Sequence, residues 1–142
     1  MAKIVIHYVL ADREATESAM RFIRKAVREM RFIARLGASH GPYTTGRLAQ
    51  SIQQRGPYLE GLVIRAQVGS DLFYARMVNS GARPHLIFPI PPRKYMKFYW
   101  RRVGRVVYPD KVRHPGQRGK GYLEEAARTI GRRYNLRVVI YP

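Results

Sequence analysis

One amphipathic segment near the start of the chain constrains the fold more than any other part of the sequence. Between Arg13 and about Leu36, apolar residues recur at intervals of three and four, which is the spacing of one helix face. A helix of this kind buries its apolar stripe against another layer of the protein. The segment therefore predicts a long N-terminal helix, capped by Asp12 and ended by Gly37. The expected stripe is Ala15, Ala19, Phe22, Ile23, Ala26, Val27, Met30, Ile33 and Ala34.

Short strands and a second helix account for most of the remaining chain. Leu62 to Gly69 alternates apolar and polar side chains, and with residues 52–55 it predicts a β-hairpin. The turn of this hairpin is expected between Gly56-Pro57 and Glu60-Gly61. Apolar residues from Tyr122 to Tyr134 recur at the helical spacing and predict a second helix. Further strands are expected at residues 4–9, 85–89, 95–103, 105–108 and 137–141.

The stretch from Gly69 to His85 lies at the centre of the predicted fold, and the other segments lead into it or out of it. It is predicted to contain the end of a strand, one short helix and a turn into the next strand. Ser70 or Asp71 can cap that helix, because a short side-chain oxygen accepts hydrogen bonds from the free amides of a first turn. Gly81 stands where a helix stop needs a positive φ, and Pro84 prevents continuation. The apolar side of this helix is expected to be Leu72, Ala75, Met77 and Val78.

The composition indicates a folded protein with a strongly basic surface. The chain has 142 residues, of which 46% are hydrophobic, so we expect a single domain over residues 1–142 with a core of its own. Lys and Arg number 27 against 9 acidic residues, a formal net charge of +18 that attracts nucleic acid, anionic membranes or acidic proteins. No apolar run approaches the ~20 residues of a membrane span, and the N-terminus does not resemble a signal peptide.

Apolar residues from several predicted elements are expected to share one core, and charges on the first helix are expected to pair. The acidic residues Glu14, Glu17 and Glu29 alternate with arginines, so pairs three or four positions apart should neutralise part of the helix charge. The predicted shared core is Phe22, Val27, Ile64, Val68, Phe98, Leu123 and Ile130.

The sequence contains no recognisable catalytic or metal-binding motif. No two carboxylates are placed by a motif for acid–base work, and neither a P-loop nor a GxGxxG pattern occurs. The histidines lie far apart without an i, i+4 pair, and cysteine is absent. We therefore expect no enzyme activity, no cofactor and no metal. The histidines are His7, His40, His85 and His114.

Two basic segments remain as candidate binding features. Residues 101–105 read Arg-Arg-Val-Gly-Arg and follow Tyr99 and Trp100, and aromatic side chains beside arginines can stack on bases. The expected alternative is that Trp100 faces the core while the arginines are solvated. The other segment, Lys111–Lys120, is too polar and Gly-rich to build a core, so we expect it to project and contact DNA or a neighbouring subunit.

Four segments match the order and spacing of motifs in one known family. Residues 45–52 resemble its TGRLRxSI motif, and residues 68–81 resemble its VGS…YAxxVExG motif. Residues 94–98 resemble its KKALRF motif, and residues 112–126 resemble its VxHPGxxxxPFLxxA motif. The family is that of the small neck, or head–tail connector, proteins of long-tailed bacteriophages, which includes tail-component and tail-completion proteins.

The resemblance covers about residues 12–135 and has implications for fold and function. It implies an α+β fold, with a long N-terminal helix and a C-terminal helix packed on an antiparallel β-sheet. It also implies a non-catalytic virion protein of the neck or tail that assembles in the host cytoplasm as a hexameric homo-oligomeric ring. The implied partners are portal, adaptor or head-closure proteins, the tail terminator or tail tube, and non-specifically bound double-stranded DNA, with no membrane.

The alternative from another class is a basic RNA-binding or ribonuclease-toxin-like domain, in which Arg, Lys and Tyr do electrostatic work. Under the first hypothesis, basic residues around the projecting segment are candidates for lining the DNA channel, and polar residues of the two Gly-bearing segments are candidates for subunit interfaces. The channel candidates are Arg101, Arg102, Arg105, Lys111, Arg113, Arg118 and Lys120. The interface candidates are Asp71, Tyr74, Asn79, Arg83, His85, His114 and Gln117.

Overall fold

The computed structural model describes residues 2–9, 16–40 and 45–141. It has an α+β fold, as predicted, and divides into two compact units. The core unit lies within residues 1–80 and 119–142, and the hairpin unit is residues 81–118. That the two units act as one domain stays a prediction.

Helices and strands are distributed unevenly between the two units. Within the described residues, the core unit holds the helices and a four-stranded sheet, whereas the hairpin unit contains strands alone. In chain order the elements are β1 (Ala2–Val9), α1 (Thr16–Ser39), α2 (Arg47–Ser51), β2 (Gln53–Glu60), β3 (Val63–Ser70), α3 (Ala75–Ser80), β4 (Gly81–Ala82), β5 (His85–Ile87), β6 (Phe98–Trp100), β7 (Arg105–Val107), β8 (Val112–His114), β9 (Gln117–Arg118), α4 (Tyr122–Tyr134) and β10 (Val138–Tyr141).

A four-stranded antiparallel sheet, in the order β10-β1-β3-β2, forms one layer of the core unit. The central strands β1 and β3 pair from Ala2 opposite Ser70 to Val9 opposite Val63. Because side chains alternate across a strand, one face of β3 is buried while the other is polar. The buried face consists of Ile64, Ala66, Val68 and Ser70.

Helices α1 and α4 pack against the sheet and against each other, and they confirm the predicted helical stripe. The described stripe residues of α1 are buried or partly buried, and Leu123 and Ile130 of α4 join the same core. The predicted cap Asp12 and stripe residue Ala15 lie outside the described residues. The buried residues of α1 are Ala19, Ile23, Ala26, Val27, Met30, Ala34 and Ala38.

The prediction that Gly37 ends the first helix is wrong, because α1 continues to Ser39. A Cβ atom added at Gly37 would lie 2.9 Å from the Cβ of Tyr122 on α4. Close-packed interiors do not tolerate such an approach, so glycine here permits two helices to touch. The residue therefore marks a helix–helix contact inside the core unit.

The predicted hairpin of β2 and β3 is confirmed, but its turn lies elsewhere. Strand β2 continues through Gly56-Pro57, where the pairing register shifts between Arg55 and Tyr58. This irregularity accommodates a proline that cannot donate to the ladder, and Gly56 has a φ of +90°. The turn is formed by Gly61 and Leu62, so Leu62 is exposed instead of lying on the buried face.

The short helix of the central stretch forms as α3, with corrections at its start and its apolar side. Ser70 Oγ accepts a hydrogen bond from the Leu72 backbone N–H at 3.2 Å, before the helix begins, whereas Asp71 forms an ion pair with Arg55. Met77 is exposed, so it does not belong to the buried side. Gly81 follows the helix with a φ of +87°, as its predicted role requires.

The hairpin unit consists of nested antiparallel strand pairs. Strand β4 pairs with β9, β5 with β8, and β6 with β7. The predicted strands at 85–89, 95–103 and 105–108 are present in shorter form. The segment Lys111–Lys120 is not simply a loop, because residues 112–114 and 117–118 pair with the strands that precede them.

The predicted shared core is confirmed for the residues of the core unit and is wrong for Phe98. Val27, Ile64, Val68, Leu123 and Ile130 are buried. Phe22 is partly buried, with its ring edge-on to that of Tyr134 at 5.4 Å. Phe98 lies in the hairpin unit, where every residue is half-buried or exposed. The alternation around Phe98 indicates that one face of the strand is apolar, but it does not indicate whether another layer covers that face.

Candidate functional site

The hairpin unit carries half of the formal net charge of the whole chain. It contains ten basic residues and one acidic residue, Asp110, against a total net charge of +18. Apolar side chains accompany these charges, and none of them is buried. A surface that is both basic and apolar is the strongest candidate for a binding function. The basic residues are Arg83, Arg93, Lys94, Lys97, Arg101, Arg102, Arg105, Lys111, Arg113 and Arg118.

The structure places all but one of the predicted channel residues in this unit. Arg101, Arg102, Arg105, Lys111, Arg113 and Arg118 are exposed there. Lys120 instead belongs to the core unit, where its Nζ donates a hydrogen bond to the carbonyl oxygen of His40. Lys120 is therefore used in an internal contact between distant segments of the core unit.

Three of the predicted channel residues line one concavity together with a tryptophan. Arg105 lies opposite Trp100 in the pairing of β6 with β7, and Lys111 and Arg113 lie on the returning segment. We call this the Trp100 concavity, and its volume is about 690 Å³. Its lining contains no acidic residue and consists of Trp100, Arg105, Val106, Val107, Tyr108, Pro109, Lys111, Val112 and Arg113.

The expectation that Trp100 faces the core is wrong, because its side chain is 49% exposed. The strands of the hairpin unit form two-stranded pairs with no helix among them, so no second layer of that unit covers the indole. An exposed indole offers a large aromatic face for stacking. The other interpretation, in which Trp100 stacks on a ligand, is compatible with this exposure.

A tight turn holds Trp100 and Arg105 in position. The carbonyl oxygen of Trp100 accepts hydrogen bonds from the backbone N–H groups of Val103 at 3.0 Å and Gly104 at 2.9 Å. Gly104 has a φ of +70°, which glycine adopts without the cost that a side chain brings. The turn presents Arg101 and Arg102 to solvent at the end of the strand pair.

Tyr108 contributes a second exposed ring to the Trp100 concavity. The Nζ atom of Lys97 lies 5.8 Å from the centre of the Tyr108 ring, within the range of a cation–π contact. The concavity therefore combines aromatic faces with cationic groups. This combination can hold a ligand that carries both a flat ring and a negative charge.

A second concavity of the hairpin unit is mainly apolar and was missed by sequence reasoning. Ile90 is 81% exposed, and Phe88 and Tyr95 lie nearby in the lining with half or more of their surface accessible. The available signal was the run of apolar residues around Pro89, Pro91 and Pro92, since prolines there indicate an edge strand or a loop. The volume is about 680 Å³, and the lining is Ile87, Phe88, Pro89, Ile90, Pro91, Pro92, Arg93, Tyr95, Met96, Lys97 and Phe98.

The predicted interface residues of the hairpin unit lie along its first strand pairs. His85 and His114 lie opposite each other, with their rings stacked at 5.0 Å. His85 Nδ1 donates to the carbonyl oxygen of Arg83, and His114 Nδ1 accepts from the Gly116 N–H. Gln117 pairs with Ala82. The fold therefore brings together residues that are distant in sequence, although whether they contact another subunit stays a prediction.

The predicted interface residues of the core unit have internal roles. Asp71 forms an exposed ion pair with Arg55 at 2.9 Å. Tyr74 is half-buried against the core, with its ring edge-on to Phe73 at 5.4 Å. Asn79 is the clear correction, because only 1% of its surface is accessible and it cannot serve as a contact surface.

Asn79 caps the N-terminus of α4 from a distant part of the chain. Its Oδ1 accepts a hydrogen bond from the Leu123 backbone N–H at 3.0 Å, and its Nδ2 donates to Glu124 Oε1 at 2.8 Å. The first amides of a helix have no partner within the helix, so this contact satisfies one of them. An amide both donates and accepts, whereas an ionised carboxylate accepts alone. The amide of Asn79 therefore suits a site beside Glu124.

The titratable groups with perturbed pKa values in the core unit have structural explanations. Hydrogen bonds from Tyr134 and Arg133 lower the pKa of Glu29, and the bond to Glu29 raises the pKa of Tyr134. Glu29 thus pairs with α4, not with the arginines of its own helix as we predicted. Burial raises the pKa of Tyr122 to about 12.

Neither a cluster of metal-ligating side chains nor a membrane-spanning helix is found in the part of the chain that the structure describes. No group of three or more His, Cys, Asp or Glu residues in it is arranged to hold a metal ion. None of its helices is both long and apolar enough to cross a membrane.

Comparison with known proteins leaves the function to be argued from the residues. No protein-family model, no curated protein and no solved structure matches this chain. The resemblance to phage neck proteins is therefore a prediction from sequence motifs.

Proposed function

We propose that this chain is a structural subunit of the head–tail junction of a long-tailed bacteriophage, where it assembles as a homo-oligomeric ring around the DNA path. The observation that carries this proposal is the hairpin unit, which has abundant apolar residues and no buried residue. Contiguous exposed apolar surface is typical of a site that another macromolecule covers. A subunit whose hairpin unit is covered only by neighbouring subunits would expose apolar surface in this way before assembly.

Contacts between the motif segments support the family resemblance. Ser51 Oγ, in the first motif, lies 2.8 Å from Ser70 Oγ, in the second. Asn79, at the end of the second motif, binds the backbone of Leu123 in the fourth. Parts of the first, second and fourth motifs thus meet in the core unit, whereas the third motif, residues 94–98, lies in the hairpin unit.

The charge of the hairpin unit suits a path for DNA. Its exposed arginines and lysines have one acidic residue among them within residues 81–118. Contacts with a passing duplex are proposed to be with phosphates, non-specific and salt-sensitive, because transit requires that no base sequence be gripped. The proposed location is the neck or tail of the virion, next to portal or head-closure proteins and the tail.

Imaging of intact long-tailed particles that contain this chain tests the proposal. We expect a closed ring with several copies at the head–tail junction, since heterologous contacts close into rings. A single copy per particle, or the absence of density at the junction, would contradict the proposal. Assembly can require a template, so the state of the isolated chain in solution does not decide the question.

A pair of matched variants sharpens this test. Phe88→Ser with Ile90→Ser removes exposed apolar surface from the hairpin unit, and we expect it to block incorporation into particles. Phe32→Ser with Leu36→Ser removes a similar pair from the exposed side of α1 and serves as the control. Both variants should melt as the parent does, because the four residues are exposed. Equal incorporation of both variants would remove the hairpin unit from the proposal.

A second candidate function is a basic RNA-binding or ribonuclease-toxin-like domain. The observation that favours it is the exposure of Trp100 among Arg105, Lys111 and Arg113. Gene neighbours discriminate between the two proposals at little cost. Portal and tail genes would support the ring subunit, and an adjacent antitoxin gene would support the toxin.

A further inference from the structure

We infer that the Trp100 concavity binds single-stranded nucleic acid, with a base stacked on Trp100 and phosphates held by Arg105, Lys111 and Arg113. This inference goes beyond a ring around duplex DNA and does not depend on it, and it deepens the second candidate function by naming the site and the form of nucleic acid. The ligand class follows from the lining, which combines an exposed indole with cationic groups and no carboxylate.

The exposed aromatic faces favour unpaired bases over a duplex. In a duplex the bases stack on one another, so an aromatic side chain can contact the face of a base only after that base is unstacked. Single strands present these faces freely, and proteins that bind them combine aromatic platforms with a positively charged groove. Trp100 and Tyr108 supply the rings, and the Lys97 ammonium, from outside the lining, lies 5.8 Å from the centre of the Tyr108 ring.

The arrangement of the cations also fits a strand of repeating phosphates. Arg105 lies directly opposite Trp100 across the β6–β7 pair, whereas Lys111 and Arg113 lie on the segment that follows β7. The cations thus come from two successive segments that border one concavity. Carboxylates alone would satisfy the charges but would leave the indole without an aromatic partner. A polyanion that carries aromatic bases satisfies both.

Trp100 is the one tryptophan of the chain, so its fluorescence reports on this concavity alone. The first experiment titrates the full chain with an oligothymidylate of about 15 nucleotides, near the upper site size of single-strand binding folds. The comparison ligands are a duplex of the same length and polyglutamate of equal charge. We expect saturable quenching of Trp100 by the oligothymidylate, weaker quenching by the duplex and none by polyglutamate.

Variants locate the binding site when affinity is measured by the anisotropy of a labelled oligothymidylate. Trp100→Ala should weaken binding by roughly 5- to 150-fold, the range found for loss of base–aromatic stacking. Trp100→Phe should recover most of the affinity because it keeps an aromatic face. The melting curve of each variant checks that the chain still folds, which exposure of Trp100 leads us to expect.

The charges are tested by their effect on salt dependence. Replacing Arg105, Lys111 and Arg113 by Gln should reduce the slope of log affinity against log salt by about 2, since each phosphate contact on a single strand contributes about 0.7. The matched control replaces Arg24, Lys25 and Arg28 on the exposed side of α1, which removes the same charge elsewhere. The control should leave both the slope and the quenching nearly unchanged.

Each contrary result overturns the inference in a distinguishable way. Equal affinity for duplex and single strand, with Trp100→Ala unchanged, would mean that the unit binds phosphates without stacking. Quenching and competition by polyglutamate would identify an acidic protein as the ligand class. A parent chain that binds none of the three ligands would refute the inference and leave the proposed ring untouched.

Discussion

The core unit and the hairpin unit solve the problem of apolar side chains in opposite ways. In the core unit, two layers face each other, so Ile23 on α1 and Ile64 on β3 are completely buried. In the hairpin unit, paired strands have no covering layer of their own, and Ile90 keeps 81% of its surface accessible. The difference teaches that apolar residues stabilise the fold only where a second layer meets them. Elsewhere they are available to a partner.

The largest expected contrast is between the same substitution in the two units. Ile23→Ala should lower the free energy of unfolding by about 2–5 kcal/mol, because it leaves a cavity in a close-packed core. Ile90→Ala should change it by less than about 0.5 kcal/mol, because the side chain is already in water. Urea unfolding measures both. Similar losses for the two variants would show that the hairpin unit has a core of its own.

The next effect concerns the buried polar contact that Asn79 makes with α4. Asn79→Ala should cost about 1–3 kcal/mol, because the Leu123 N–H loses its partner inside the core unit. Gln50→Ala, on the exposed side of α2, serves as the control and should stay within about 0.5 kcal/mol. Both values come from denaturant unfolding at neutral pH.

The Asn79→Asp variant distinguishes the hydrogen bond to the Leu123 N–H from the effect of the neighbouring Glu124 charge. The aspartate can still accept from the Leu123 N–H, but its second oxygen would face the Glu124 carboxylate. The resulting repulsion should ease as the pH falls, because protonation of either group removes it. A variant that is equally destabilised at neutral and acidic pH would show that geometry, and not charge, decides this position.

A smaller effect is expected from the contact between Glu29 and α4. The pKa of Glu29 is lowered in the folded state, so its contribution to stability is present above the ordinary value of 4.5 and is lost as the pH falls through the folded value. Glu29→Gln should therefore flatten the acid limb of the stability curve. Glu17→Gln, at an exposed site on the same helix, is the control. An acid limb that is identical in parent and Glu29→Gln would contradict the assignment.

Periodicity predicted the core unit because both of its layers bury one face of each element. The three- and four-residue spacing of α1 and the alternation of β3 each follow from a covered face. The same alternation in β6 led to the wrong prediction that Phe98 and Trp100 face the core, because no layer of the hairpin unit covers their apolar face. A pattern reports that a face is apolar and does not report what lies against it.

Contacts between distant segments were beyond sequence reasoning for a different reason. A glycine in a helical pattern can mark the end of the helix or a place where another segment packs closely against it. The role of Gly37 could not be decided before its contact with Tyr122 was known. Asn79 reaches an amide 44 residues away, and Lys120 reaches a carbonyl 80 residues away. No local spacing rule connects such positions. The concavity around Trp100 likewise depends on a strand return that the glycine-rich composition of residues 111–120 concealed.

Reversing the charge at the end of the hairpin unit should have a small effect on stability and a large effect on function. Arg101→Glu, Arg102→Glu and Arg105→Glu together should change the free energy of unfolding by less than about 1 kcal/mol, because all three side chains are exposed. The same triple variant should block head–tail joining if these charges contact DNA or an acidic neighbour. Arg21→Glu, Arg24→Glu and Arg28→Glu on α1 make the matched control, with the same change of charge in the core unit.

Genome retention decides between the two possible contacts of these arginines. If they line the DNA path, particles that contain the triple variant should lose DNA before joining as well as join poorly, because phosphate contacts inside the channel are lost. If they bind carboxylates of an adjacent ring through bidentate pairs, joining should fail while DNA retention before joining stays as in the parent. Normal joining by the triple variant would remove these residues from both proposals. The apolar concavity around Ile90 would then stay a candidate surface of the hairpin unit, because its lining is mostly exposed and does not include Arg101, Arg102 or Arg105.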